Sequence, residues 1–156
     1  MIFVVGDRIV TQSDVLFETF FDAHDHGPIP PLEDPLVPAA ERLRDIAVVR
    51  QLAGEISVFR PSNADVRARA DAFLSSWPRP DDGLASLEAW GLDEQGFLGF
   101  VYSRLVIERC ILRTIGPVPA AVDAAATSLW TARYQAWIEQ IRERADVRVP
   151  PPESAE

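Results

Sequence analysis

Two hydrophobic rhythms share this chain, a short alternating one at its ends and a helical one between. Residues 2–5 and 8–10 are β-branched and aromatic runs separated by Gly6-Asp7. Glycine first in a two-residue loop is the order of a type II′ hairpin turn. Thr11 stands three residues before Asp14, the spacing of a capping box, so a helix is predicted over residues 12–23. Its inward positions are Val15, Leu16, Phe20 and Phe21. The stretch HDHGPIPPLEDP then forbids regular structure through its glycine and four prolines.

A second helix is predicted from near Leu36, with Leu43, Ile46, Val49 and Leu52 at helical spacing and Gly54 as its stop. Ser62 and Asp65 form another capping box. They open a helix whose apolar side is Val66, Phe73 and Trp77 and which Pro78 and Pro80 end. A short helix follows around residues 84–89, stopping at Gly91. Asp93 caps the next segment, EQGFLGFVYSRLVIERCILR. Phe97, Phe100, Val101, Leu105, Val106, Ile107 and Ile111 nearly encircle its axis, so it is expected to be the most buried helix. Gly116, Pro117 and Pro119 break the chain. The last helix, over residues 121–144, sets Trp130, Tyr134, Trp137 and Ile141 on one stripe.

Residues 147–149 read as a strand, and the Pro-rich acidic residues 150–156 as a disordered tail. An isolated hairpin is marginal in water and needs a third strand. The only other strand candidate lies at the far end of the chain. The predicted fold is therefore mainly α: a single helical domain with a small antiparallel β-sheet joining the N-terminal hairpin to the C-terminal strand.

Composition narrows the function. The chain has 156 residues, enough for one domain with a real core, and 47% of them are apolar. A formal net charge of −9 sets repulsion from phosphate as the default, so no nucleic-acid partner is expected. No apolar run is long enough to insert in a membrane, and no signal peptide is visible. Every basic residue is arginine, which removes lysine Schiff-base chemistry and the P-loop lysine. Cys110 is the single cysteine and sits in the most apolar helix, where an inert packed thiol is expected.

Candidate chemistry is sparse. His24 and His26 flank Asp25, with Asp22 nearby, but no third nitrogen or sulfur ligand is close, and no metal or cofactor is expected. There is no G-x-S-x-G nucleophile elbow, so the chain does not read as an enzyme. Gly96 and Gly99 fall inside a helix and are no phosphate loop. Carboxylates beside arginines, as in Glu41-Arg42 and Glu143-Arg144, read as solvated surface. The aromatic stripe Trp130, Tyr134, Trp137 has two readings. It is core, or its ring edges line a groove for apolar segments of other polypeptides, with Phe17, Phe21 and Trp90 adding to that surface.

The order of elements resembles the SurA N-terminal-type chaperone domain of the parvulin-associated SurA-like family. FVVGDRIVTQSDV is similar to the family's opening strand–turn–strand–helix. ERLRDIAVVRQLAGEISVFRPSNADVRARADAF and WGLDEQGFLGFVYSRLVIERCI resemble its middle helices, and WTARYQAWIEQIRERADVRV its returning helix and strand. The resemblance spans residues 2–149 and implies that residues 1–149 form a chaperone-like domain binding unfolded or extended polypeptide. It also implies a periplasmic or cell-envelope location. The family's isomerase domain would fall where only TIGPVPAAVD stands, so client binding without prolyl isomerisation is expected. The alternative is a structural or adaptor protein that docks a folded partner, or a second copy of itself as a homodimer, through the same fold.

Overall fold

The computed structural model describes residues 3–5, 8–11, 14, 17, 18, 21, 39–54, 56–77, 79–120, 123–145, 147 and 148. Strands β1 (Phe3–Val5) and β2 (Arg8–Val10) form the predicted hairpin, with Val4 opposite Ile9. Strand β3 (Val147–Arg148) lies along the other edge of β1, with Val5 opposite Val147 and Val4 opposite Arg148. The sheet order is thus β2-β1-β3, antiparallel throughout, and the two ends of the chain meet as expected. Alternation divides the faces. Val5 and Val10 are buried, whereas Ile9 is exposed.

Thr11 and Asp14 make the reciprocal capping box. The Asp14 carboxylate accepts from the Thr11 backbone N–H at 2.7 Å, and the Asp14 N–H donates back to Thr11 Oγ1 at 3.2 Å. Asp14, Phe17, Glu18 and Phe21 are helical. Val15, Leu16 and Phe20 lie outside the described residues, as do His24, His26 and the tail.

Five α-helices follow among the described residues. They are α1 (Ala39–Gly54), α2 (Asn63–Leu74), α3 (Pro80–Ala89), α4 (Glu94–Ile115) and α5 (Ala124–Arg142), with a 3-10 turn at Ser57–Phe59 after α1. Side-chain caps start three of them. Ser62 and Asp65 close a full box on α2, Asp93 accepts from the Gly96 N–H, and Asp123 accepts from the Ala126 N–H. Each satisfies backbone donors that a helix start leaves without partners.

Two expectations about α2 and α3 are corrected. Pro80 does not end a helix but begins one. It occupies the first turn of α3, where its missing N–H costs nothing and its fixed φ suits the helix. Asp81 and Asp82 follow in the same turn and favour the positive end of the helix dipole, so α3 starts earlier than residue 84. Helix α2 stops at Leu74, ahead of Pro78, with Ser75 as its cap. Gly83 lets α3 come close to the end of α2. A Cβ there would stand 3.1 Å from Leu74 Cδ2 and 3.2 Å from the Trp77 ring.

Helix α4 is the spine, and its two halves serve two apolar clusters. Its N-terminal half puts Phe97 and Val101 with Phe21, Val66, Ala70, Phe73 and Leu87. Its C-terminal half puts Val106, Ile107, Cys110 and Ile111 with Val5, Val10, Val48, Val49, Tyr134 and Ile138. Tyr102 packs against both. This accounts for apolar residues all round α4. On α1 the buried set is Leu43, Ala47, Val48, Val49 and Ala53, so Leu52 departs from the predicted stripe and is 43% exposed.

The expectation that carboxylates lie on solvated surface is corrected for three of them. Glu18, Asp45 and Glu108 are buried, and each pairs with an arginine of another element. Glu18 accepts from Arg104 of α4, which also stands 5.4 Å over the Phe21 ring. Asp45 of α1 takes both Nε and Nη2 of Arg142 of α5. Glu108 of α4 accepts from Arg69 of α2 at 2.9 Å. A charge withdrawn from water stays charged only when paired, and these pairs fix which helix faces which.

Candidate functional site

The six aromatic candidates fall into two groups at opposite halves of α4. Phe17, Phe21 and Trp90 gather at the first cluster. The Phe17 ring lies 6.2 Å from Trp90, 6.2 Å from Phe21 and 4.7 Å edge-on from Phe100. Phe21 stacks on Phe73 at 4.4 Å and is 0% exposed. Trp130, Tyr134 and Trp137 lie on α5 beside the second cluster. Trp130 and Tyr134 are parallel at 5.7 Å, and Tyr134 meets Trp137 at 6.0 Å. One continuous aromatic surface made from all six does not form.

Burial narrows them further. Phe21 and Tyr134 are core residues, closed to a ligand in this arrangement. Trp130 is half-buried, and its Nε1–H donates to the Gly116 carbonyl at 3.1 Å. Gly116 can present that carbonyl because its φ of 101° is open to glycine alone. The ring is therefore held as a staple across the α4–α5 turn. Trp90 is 39% exposed, and Phe17 and Trp137 are half-buried. Trp137 opens onto a depression. With Val48, Leu52 and Ile141 it walls a groove of about 330 Å³ between α1 and α5, bordered by Gln51, Gln140 and Arg144.

A larger groove, of about 450 Å³, lies between α2, α3 and the first turns of α4. Its floor is Leu87 and Phe97, both buried, and its walls are Leu74, Leu84, Leu92 and Leu98. Leu84 is 40% exposed. Around the mouth stand Asp71, Glu88, Asp93, Glu94 and Arg67, all exposed. Sequence reading passed over these leucines, yet one signal pointed to them. Leu92 and Phe97 bracket the Asp93 cap at the two positions of a hydrophobic staple, and such a pair belongs on one apolar surface.

No family model, curated protein or solved structure matches the chain. Chemistry must therefore be read from the residues themselves. Cys110 is buried, and loss of water around it raises its thiol pKa against the opposing hydrogen bond to Thr114. A protonated, enclosed thiol is no nucleophile. Tyr134 is likewise raised, first by burial and then by the Asp45 carboxylate, with Arg142 opposing. Asp65 is lowered to about 2 by its Ser62 cap bonds and then by Arg109, whose Nη2 lies 2.8 Å from its carboxylate. These groups are held in their ordinary charge states at neutral pH. No group of three or more His, Cys, Asp or Glu side chains able to hold a metal ion occurs among the described residues. None of the described helices is long and apolar enough to cross a membrane. What the described surface offers is apolar concavity.

Proposed function

We propose that this chain is a binding module for extended, apolar polypeptide segments, a SurA-like chaperone domain with no isomerase domain between α4 and α5. The observation that carries the reading is the leucine-walled groove among α2, α3 and α4, where Leu84 meets solvent above a floor of Leu87 and Phe97. The resemblance in element order supports it, and so does the pairing of both chain ends on β1, the arrangement that the resemblance implies.

Covering exposed leucine returns about 25 cal/mol per Å² of apolar surface. Ordering a flexible client offsets much of this gain, so affinity is modest and exchange is quick. Shielding of that kind needs no nucleotide, metal or cofactor.

The test is suppression of aggregation of a denatured model protein, run with and without chelator, for the native chain and for Leu84→Gln. Leu84 is half open to water, so its replacement leaves the fold in place. Suppression that is indifferent to chelator and weakened by Leu84→Gln is the expected result. Equal suppression by both chains would remove the groove from the reading, and no suppression by either would remove the reading itself.

One observation favours a second reading, a docking module for a folded partner or a second copy. Leu52, Ile56 and Val58 are all exposed within one short stretch at the end of α1. Loss of a stoichiometric partner, or of self-association, in Val58→Ser would support docking there.

A further inference from the structure

The groove among α2, α3 and α4 has a chemical preference written on its mouth. Four carboxylates, from Asp71, Glu88, Asp93 and Glu94, face a single arginine, Arg67. The walls between them are leucine. Resting on the peptide-binding reading above, we propose that the occupant of this groove is a polypeptide segment with large apolar side chains flanked by arginine or lysine. Apolar side chains fill the leucine walls, and the flanking cations meet the carboxylates at the rim. Rim charges act mainly on encounter rate and choice of partner, while the apolar floor holds the segment.

Charge also disfavours the other occupants. The chain's own C-terminal run, PPPESAE, contains two glutamates and no cation. A second copy carries the same net charge of −9 and adds repulsion at the rim.

Three labelled peptides test the proposal. They share one core of leucine and phenylalanine spaced by serine and differ only in flanks of arginine, glutamine or glutamate. Fluorescence anisotropy with the full chain is read at low and at high salt. The arginine-flanked peptide is expected to bind about tenfold tighter than the glutamine-flanked one at low salt, as two or three exposed ion pairs imply, and the glutamate-flanked one weakest. High salt narrows the spread. In Asp71→Asn/Glu88→Gln/Glu94→Gln, which leaves the Asp93 cap intact, the preference disappears while the glutamine-flanked peptide binds as before. Leu84→Gln weakens all three.

Equal binding of the three peptides to the native chain overturns the charge preference and leaves the peptide-binding reading standing. No binding of any peptide overturns both. Unchanged arginine-peptide affinity in Leu84→Gln overturns the location. Self-association of the native chain that Leu84→Gln abolishes assigns the groove to a second copy and overturns the proposal as well.

Discussion

Val5 and Val147 lie directly opposite one another across an antiparallel strand pair, although they come from the two ends of the described chain. Neighbouring Val4 and Arg148 are paired in the same way. Opposed residues in such a ladder have Cα atoms about 4.5–5.5 Å apart, within the span of a disulfide.

The pair Val4→Cys/Arg148→Cys, in a Cys110→Ala background, is therefore expected to oxidise readily. A mobility change on a non-reducing gel would report it. Closing a loop of nearly the whole chain raises stability by up to about 5 kcal/mol in the chain-entropy model. Two thiols that fail to join would place the ends apart and remove the closed sheet.

Glu18 and Arg104 form a buried pair between the N-terminal helical residues and the spine. Glu18→Gln removes the carboxylate that faces Arg104 and is expected to lower stability in chemical denaturation, by at most about 3–5 kcal/mol. Replacing both with methionine recovers most of the loss. A double replacement as damaging as the single one would show that the pair contributes more than its own mutual satisfaction.

Tyr134 presents the opposite case. Its ring is packed between Trp130 and Trp137, yet its hydroxyl is buried with no hydrogen-bond partner among the described residues. An enclosed hydroxyl with no partner costs about 1–3 kcal/mol. Tyr134→Phe keeps the ring and removes the hydroxyl, so the midpoint of unfolding is expected to hold or rise. A loss above about 1 kcal/mol would reveal a hydrogen bond to that hydroxyl.

Asp65 sets the response of α2 to acid. Its folded pKa of about 2 lies below the ordinary 3.8 because the Ser62 cap bonds favour its charged form, with Arg109 adding to them. A depressed carboxyl contributes stability that is present above its unfolded pKa and lost as pH falls through the folded one. The native chain should therefore exceed Asp65→Asn in stability above about pH 4, and the gap should close towards about pH 2. Denaturant midpoints for both chains across that range would measure it; a gap independent of pH would exclude the carboxylate's charge as the cause.

Local signals carried much of this architecture. The Thr11–Asp14 and Ser62–Asp65 boxes, the Asp93 cap and the Gly116 break were readable because each spans at most four residues or rests on one. The meeting of the ends was readable by elimination, since a hairpin needs a third strand and the chain held one further candidate. The buried carboxylates were not readable. Glu18, Asp45 and Glu108 look in sequence like any surface acid, and their arginine partners lie in distant helices. The aromatic candidates show the same limit. Helical spacing already turned Phe21 inward, but Tyr134 stood between core and groove in sequence, and only the packing of α1 and α5 against the spine determines that it faces inward. The leucine groove was passed over because its walls come from three helices, and only the Leu92–Phe97 staple marks it locally.

Strand β1 occupies the middle of the sheet, and the strand that completes its second edge is, of the three described strands, the last to be synthesised. During synthesis β1 can pair with β2 almost at once, yet its other row of backbone groups stays open until residues 147 and 148 have cleared the exit tunnel. A nascent chain of this protein thus carries an unsealed sheet edge from the making of residues 3–10 until that of residues 147 and 148.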